Sequence, residues 1–304
     1  MNRSNSILIV GTGAMGCFFA SRLAAAGFAV QMLGTWPEGI AALQHDGVRL
    51  FLSDGTEKAY GVKASSDTRD FLGAHSALVL VKSWQTKRAA DQLFECLAAD
   101  GVALTLQNGL GNREKLFARL GVERVALGVT TGGASLLAPG RARVGGEGVI
   151  SAERHPRIAS LVAMLRAADF EVDLSDDVAA LLWGKLVINA AINPLAAVLD
   201  VPNGELLVRP SARELSAALA REVASVAAEK GVTFSFGDPV EAVEAVANAT
   251  ALNFSSMLQD VRRGARTEID AICGAVVSAG REVGVLTPVN DTMWKLVAAK
   301  DSRT

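Results

Sequence analysis

At 304 residues, half of them apolar, the chain is long enough for about two domains with sizeable cores. A formal net charge of −2 gives no basic field for nucleic acid or an anionic membrane surface, and a single Tyr among few aromatics gives little surface for stacking bases. The three cysteines, Cys17, Cys96 and Cys273, show no paired spacing and read as reduced thiols of a cytoplasmic protein. The three histidines, His45, His75 and His155, lie far apart without ligand spacing, so no metal site is expected. The start, residues 1–6, runs straight into a strand and a glycine loop and does not read as a signal peptide. No apolar run approaches the roughly 20 residues that span a bilayer.

Residues 7–10, Ile-Leu-Ile-Val, form a continuous apolar run of the kind a buried parallel strand makes. Gly11-Thr12-Gly13-Ala14-Met15-Gly16 follows and opens a helix. This is G-x-G-x-x-G between strand and helix. The first glycine allows the tight turn, the second lets the backbone approach a pyrophosphate, and the third lets helix and strand pack closely. The helix N-terminus then offers N–H groups and a positive dipole end to the phosphates. The second strand, 29–33, ends in Gly34-Thr35-Trp36-Pro37-Glu38. An acidic residue there would hold the ribose of NAD and an arginine the 2′-phosphate of NADP; Thr35 can bond either, or cap the helix that Pro37 starts.

Residues 48–52 and 57–62 around Ser53-Asp54-Gly55-Thr56 predict a hairpin. Strand 77–81 delivers Lys82-Ser83-Trp84-Gln85, and strand 102–106 delivers Gln107-Asn108-Gly109, to the edge where open α/β sheets bind ligands. A strand at 125–131, a glycine-rich hairpin region, a helix at 156–168 and a strand at 170–174 close a first domain spanning 1–176. From 177 to 304 the pattern is helical. The first of these helices carries the stretch 183–194, apolar except for Lys185, Asn189 and Asn193. Steps of four residues turn only about 40° past a full helical turn, so the three form one stripe. Taken alone, the stripe serves internal packing as readily as a ligand. Pro194 predicts a break or kink there. Later helices are expected from the capping sequence at Ser211 to Gly231, from Asp238-Pro239, near Ser255-Ser256, through Thr267-Glu268-Ile269-Asp270 to Gly284, and from Thr287-Pro288. The fold class is α/β: a Rossmann-like dinucleotide-binding domain followed by an all-helical domain.

The motifs together resemble the ketopantoate reductase family (2-dehydropantoate 2-reductases). The resemblance rests on Gly11 through Gly16, Lys82-Ser83-Trp84-Gln85, Gln107-Asn108-Gly109, Trp-x-Lys-Leu-x-x-Asn-x-x-x-Asn-Pro-Leu beginning at Trp183, Pro202-Asn203-Gly204, Ser256-Met257 with Asp260, and Thr267-Glu268-Ile269-Asp270. It implies reduction of ketopantoate to (R)-pantoate with NADPH. It implies Lys185 as catalytic lysine and Glu268 as the acid at the substrate hydroxyl. It implies Asn189, Asn193 and Asn203 around the substrate and Ser256 at its carboxylate. Lys82 and Asn108 match positions near the nicotinamide. Two departures stand out. Thr35 replaces a common arginine, which leaves NAD open beside NADP, and Cys273 replaces a common asparagine. Hydride addition to a ketone builds negative charge on oxygen, and an ammonium at Lys185 can supply both charge and proton. The expected partner is a small 2-oxo acid, and the apolar surface of the helical domain is compatible with a homodimer. The alternatives are a family member acting on another 2-oxo acid and a non-catalytic NAD(P)-sensing protein.

Overall fold

The computed structural model describes residues 5–52 and 54–301; the start 1–4 and Ser53 of the expected hairpin turn lie outside them. The described residues divide into two compact units. One holds the chain up to Gln107 together with Asn112–Val178; the other holds Asn108–Gly111 and the chain from Ala179 onward.

The first unit runs β1 (Ser6–Val10), α1 (Ala14–Ala25), β2 (Ala29–Leu33), α2 (Pro37–Asp46), β3 (Val48–Phe51), β4 (Glu57–Tyr60), β5 (Lys63–Ser65) and β6 (Ala74–Val79). It continues with α3 (Thr86–Cys96), β7 (Leu97–Thr105), α4 (Asn112–Leu120), β8 (Val125–Thr130), β9 (Gly133–Ala138), β10 (Arg141–Gly146), β11 (Val149–Glu153), α5 (Ala159–Ala167) and β12 (Glu171–Ser175). The main sheet has the order β12-β11-β8-β7-β6-β1-β2-β5. From β5 to β8 every pairing is parallel, while β11 meets β8 antiparallel. The short apolar runs follow from burial on both faces. Ile7 and Ile9 join one core with Phe18, Phe19 and Leu23 of α1, and Leu8 and Val10 join another with Ala89 and Leu93 of α3. Alternation sends successive side chains to opposite faces, so a sheet covered on both faces needs apolar residues at every position. Each fully buried leucine or isoleucine contributes about 1.5–3 kcal/mol by leaving water.

The expected hairpin is β3 and β4, paired antiparallel, with Asp54 accepting from the N–H and hydroxyl of Thr56. A second sheet, β4-β3-β10-β9, forms beside the first. Short β5, on β2, had no clear signal in the sequence.

The described elements of the second unit are helical: α6 (Val178–Leu199), α7 (Glu205–Val208), α8 (Pro210–Glu229), α9 (Pro239–Ala249), α10 (Ser256–Arg262), a π-turn at Asp270–Gly274, α11 (Ala275–Val283) and α12 (Pro288–Asp301). Three expectations change. Pro194 does not end α6, which continues to Leu199. Leu195, Ala196 and Ala197 beyond it are buried in the core, and that packing holds the helix through the proline. Ser211 does not cap α8; the helix begins at Pro210 after Arg209, where a proline's fixed φ and missing N–H cost least. And α6 is by length and composition long enough to cross a membrane, contrary to the reading that no apolar run is. Half of that stretch is buried inside the fold, as in a core helix. At the other junctions the signals behave as expected: Asp238 caps α9 through Val240 and Glu241, and Gly284 closes α11 with φ of 75°.

Candidate active site

The glycine loop lies after β1, where the chain order reverses between β2 and β6, the switch point at which open α/β sheets bind ligands. Its three glycines have separate reasons. Gly11 has φ of 128°, and a Cβ there would lie 3.0 Å from the Leu80 carbonyl carbon. A Cβ on Gly16 would lie 2.0 Å from the Gly11 oxygen. Gly13, exposed at the start of α1, has nothing within 4 Å of its missing Cβ. Two glycines thus serve packing and the middle one leaves room over the helix N-terminus, with Ala14 and Met15 half-buried behind it. This cradle fits the pyrophosphate of a dinucleotide. Thr12 is buried, its side chain filling the space a Cβ on Gly34 would need. The start of α2 differs from expectation. Trp36, not Thr35, precedes Pro37 as the cap residue, with its ring over Gly39. Thr35 is exposed and takes no part in the cap.

At the ends of β6 and β7 a buried amide network takes over. Gln107 donates to the Val81 carbonyl and the Thr86 hydroxyl, each at 2.9 Å. Thr105 donates to Gln107 Oε1 at 3.0 Å, and Thr86 lies 2.7 Å from Asn112 Oδ1. Half-buried Lys82 has its backbone N–H on Gln85 Oε1. Gln107, Thr86 and Asn112 fix the backbone on both sides of the segment 108–111. Sequence reasoning passed over Thr86 and Asn112, and named Gln107 only as part of the Gln107-Asn108-Gly109 motif without this role.

In the second unit, the stripe on α6 meets partners. Asn189 Nδ2 lies 3.5 Å from Asn108 Oδ1, and Asn108 Nδ2 lies 3.3 Å from Glu268 Oε2. These are loose hydrogen bonds, of the kind that tighten when a ligand completes a site. Glu268 is 6 % exposed. Burial pushes the half-buried Lys185 ammonium down from 10.5 to about 8, while the Glu268 carboxylate pulls the other way. Lys185, Asn189, Asn108 and Glu268 therefore form one cluster, drawn from α6, from a loop following β7 in sequence, and from the approach to the π-turn. Asn108 clusters with the helical unit, not with the sheet edge on which its sequence position places it.

Asn193 and Ser255 meet at the far end of the stripe. Asn193 is buried, and its carbonyl accepts from the Ser255 hydroxyl at 3.3 Å. Ser255 caps α10 by accepting from Leu258 N. Its neighbour Ser256 is exposed and its hydroxyl makes no hydrogen bond among the described residues. Asn203 stands apart from the Lys185 cluster: its amide donates to Thr250 at 2.9 Å and its backbone N–H to the Asn253 carbonyl. Asp260 is buried and paired with Arg263 at 2.8 Å. Cys273 lies in the π-turn, wholly buried, and burial, helped by Glu222, drives its thiol pKa upward; it packs in the core. Among the described residues no group of three or more His, Cys, Asp or Glu side chains can hold a metal ion.

An ammonium near neutrality, beside a carboxylate held by an amide, can protonate a developing alkoxide and bind a hydroxyl. Known proteins match the chain over nearly its whole length. Residues 7–157 match the family model "Ketopantoate reductase PanE/ApbA", and 177–301 match its C-terminal counterpart. A 2-dehydropantoate 2-reductase of Archaeoglobus fulgidus is 36 % identical over 99 % of both chains. One from Halobacterium salinarum is 34 % identical over 96 % of this chain and 97 % of its own. Among solved structures, a PanE/ApbA family ketopantoate reductase from Ralstonia eutropha JMP134 superposes with a TM-score of 0.91 at 32 % identity, covering 98 % of this chain and 99 % of its own. A D-mandelate dehydrogenase solved with NADH and anilino(oxo)acetate also has a TM-score of 0.91, at 25 % identity, over 97 % of this chain and 98 % of its own. With both of its units matched, the chain belongs to the ketopantoate reductase family.

Proposed function

We propose that this protein is a 2-dehydropantoate 2-reductase, reducing the 2-oxo group of ketopantoate to (R)-pantoate with NADPH in the cytoplasm. The observation that carries the reading is the run Asn189–Asn108–Glu268 beside a lysine whose pKa lies near 8. Both curated relatives cited above, and the Ralstonia eutropha structure, are named for this family's reaction and support the substrate.

Gly11 through Gly16 would hold a nicotinamide dinucleotide, which would supply the hydride. Lys185 faces the oxygen on which charge develops; its ammonium stabilises that charge and gives up the proton. A general acid works best with a pKa near the working pH, and burial brings Lys185 there. Glu268 accepts the 4-hydroxyl of the substrate, and Asn108 keeps the carboxylate oriented. Asn189 and Asn193 line the substrate along α6. The uncommitted hydroxyl of Ser256 receives the substrate carboxylate. Asn203 acts, on this reading, by bracing the 250–253 turn ahead of Ser255. In the first unit, Thr35 bonds the adenosine ribose or its phosphate, and Lys82 lies toward the nicotinamide.

A second reading has one specific support, the equally good superposition on the D-mandelate dehydrogenase: this chain would then reduce a 2-oxo acid other than ketopantoate. The buried position of Cys273, a departure from the family pattern, speaks for a packing change instead. The deciding experiment compares kcat/KM for ketopantoate and for 2-oxo acids lacking the 4-hydroxyl, each with NADPH and NADH. Preference for ketopantoate and NADPH is expected. Equal rates with and without the hydroxyl remove the role of Glu268, and a clear NADH preference removes NADPH.

A further inference from the structure

Besides the Asn108 side chain, the backbone of the loop 108–111 is fastened to the helical elements at Leu110. Leu110 N–H donates to the Ala271 carbonyl at 2.9 Å, and the Leu110 side chain packs against the helical core. Ala271 belongs to the π-turn, whose widened ring is closed by Gly274 N–H on the Ile269 carbonyl at 3.0 Å. Such one-turn widenings inside helices tend to occur at functional sites. Here the turn starts two residues after Glu268. Gly109 is the residue that permits the contact, for two independent reasons. Its φ of 82° lies in the left-handed region, which side chains with a Cβ rarely adopt. A Cβ there would also lie 2.3 Å from the Ala271 oxygen. Asn108, immediately before it, is thereby held with its amide between Asn189 and Glu268.

We propose that Gly109 and the Ala271 carbonyl are positioning elements of the reaction: the seat of the loop on the π-turn sets the Asn108 carboxamide against Glu268, and so orients the carboxylate that takes the substrate hydroxyl. The inference rests on the function proposed above and deepens it. Neither Gly109 nor Ala271 touches substrate on this account. Both act through Asn108, which sets the test. A group that acts through another loses its effect when that other is removed.

The experiment is a double-mutant cycle on kcat/KM for ketopantoate with Asn108→Ala, Gly109→Ala and the pair, folding of each checked by circular dichroism. Gly109→Ala alone should lose about 10²-fold, as displacement of a positioned group by an ångström does. In the Asn108→Ala background it should cost about twofold or less, within the usual error of additivity. Full additive losses overturn the proposal. Leu110→Pro, which keeps the glycine at 109, deletes the N–H and sets its ring Cδ toward the Ala271 oxygen in place of the hydrogen, reads the same coupling if Gly109→Ala does not fold. If neither variant folds, the contact is structural and the positioning role falls. Amide hydrogen exchange at Leu110 in the unaltered, ligand-free protein tests the seat apart from turnover. Slow exchange is expected, and exchange at the rate of an open loop overturns it. Absence of turnover by the unaltered enzyme would instead remove the proposed function.

Discussion

Lys185 shows what spacing can and cannot convey. The 185-189-193 pattern announces a polar stripe on an apolar helix, but the acidity of the lysine depends on burial, which only the fold supplies. The consequence is a pH dependence with a definite sign. Burial lowers the ammonium pKa from 10.5 to about 8, so the protonated acid is present below that value and lost above it. kcat/KM for reduction should fall as pH rises through about 8. Lys185→Ala should lower kcat/KM by about 10²- to 10⁴-fold, the usual contribution of a positioned acid, and abolish that falling limb, with dinucleotide affinity retained. Glu268→Gln removes the charge that holds the lysine's pKa up, so its limb should move to lower pH. A limb that stays in place in Glu268→Gln would mean that another group titrates. On the role proposed for Glu268, the same variant should weaken discrimination for the substrate hydroxyl, because a neutral amide oxygen accepts that hydrogen bond less strongly than a carboxylate does.

At the level of elements, the glycine loop separates packing from the proposed dinucleotide binding within six residues. Gly16→Ala would force a Cβ to 2.0 Å from the Gly11 oxygen, an overpacking of the kind that costs about 1–3 kcal/mol. Thermal denaturation should show the loss. Gly13→Ala meets no protein atom within 4 Å, at φ of −84°, so stability should change by about 0.5 kcal/mol or less, while titration should show weakened dinucleotide binding. Normal binding by Gly13→Ala would move the pyrophosphate elsewhere. These elements were readable because their signals are local: an apolar run of four, glycines at fixed offsets, Asp238 before Pro239. Pro194 misled for the converse reason. Its local rule offers a break or a kink, and the buried Leu195, Ala196 and Ala197 outweigh the break. The carbonyls of Ala191 and Asn193 on the same stretch are met by Ser216 and Ser255 from other helices. The π-turn left no mark in the sequence that a plain helix start would not also leave.

At the scale of the whole molecule, the chain leaves the sheet unit at Gln107, contributes four residues to the helical unit, and returns at Asn112. No signal at Asn108 foretells a hydrogen bond to a residue 160 positions later; strand order placed it at the sheet edge because order along the chain is all that a sequence displays. The division has a consequence that can be measured on the intact enzyme. The glycine loop, Thr35 and Lys82, the positions proposed for the dinucleotide, belong to one unit, and Lys185, Asn189, Asn193, Ser256 and Glu268 to the other. A ligand stabilises what it binds, by about 2.7 kcal/mol at a hundredfold excess over its Kd, and local opening reports where that falls. Hydrogen exchange with NADPH alone should therefore give its largest protection in the peptides covering 11–16, 34–36 and 82–85. Adding pantoate, which unlike ketopantoate cannot be consumed by NADPH, should extend protection to 183–194, 255–260 and 266–274, with 108–111 changing alongside the second group. Should 108–111 respond fully to NADPH and not at all to pantoate, Asn108 belongs to the dinucleotide and its partnership with Glu268 has no part in holding substrate. Should pantoate protect only the first unit, the substrate roles assigned to α6 fail together.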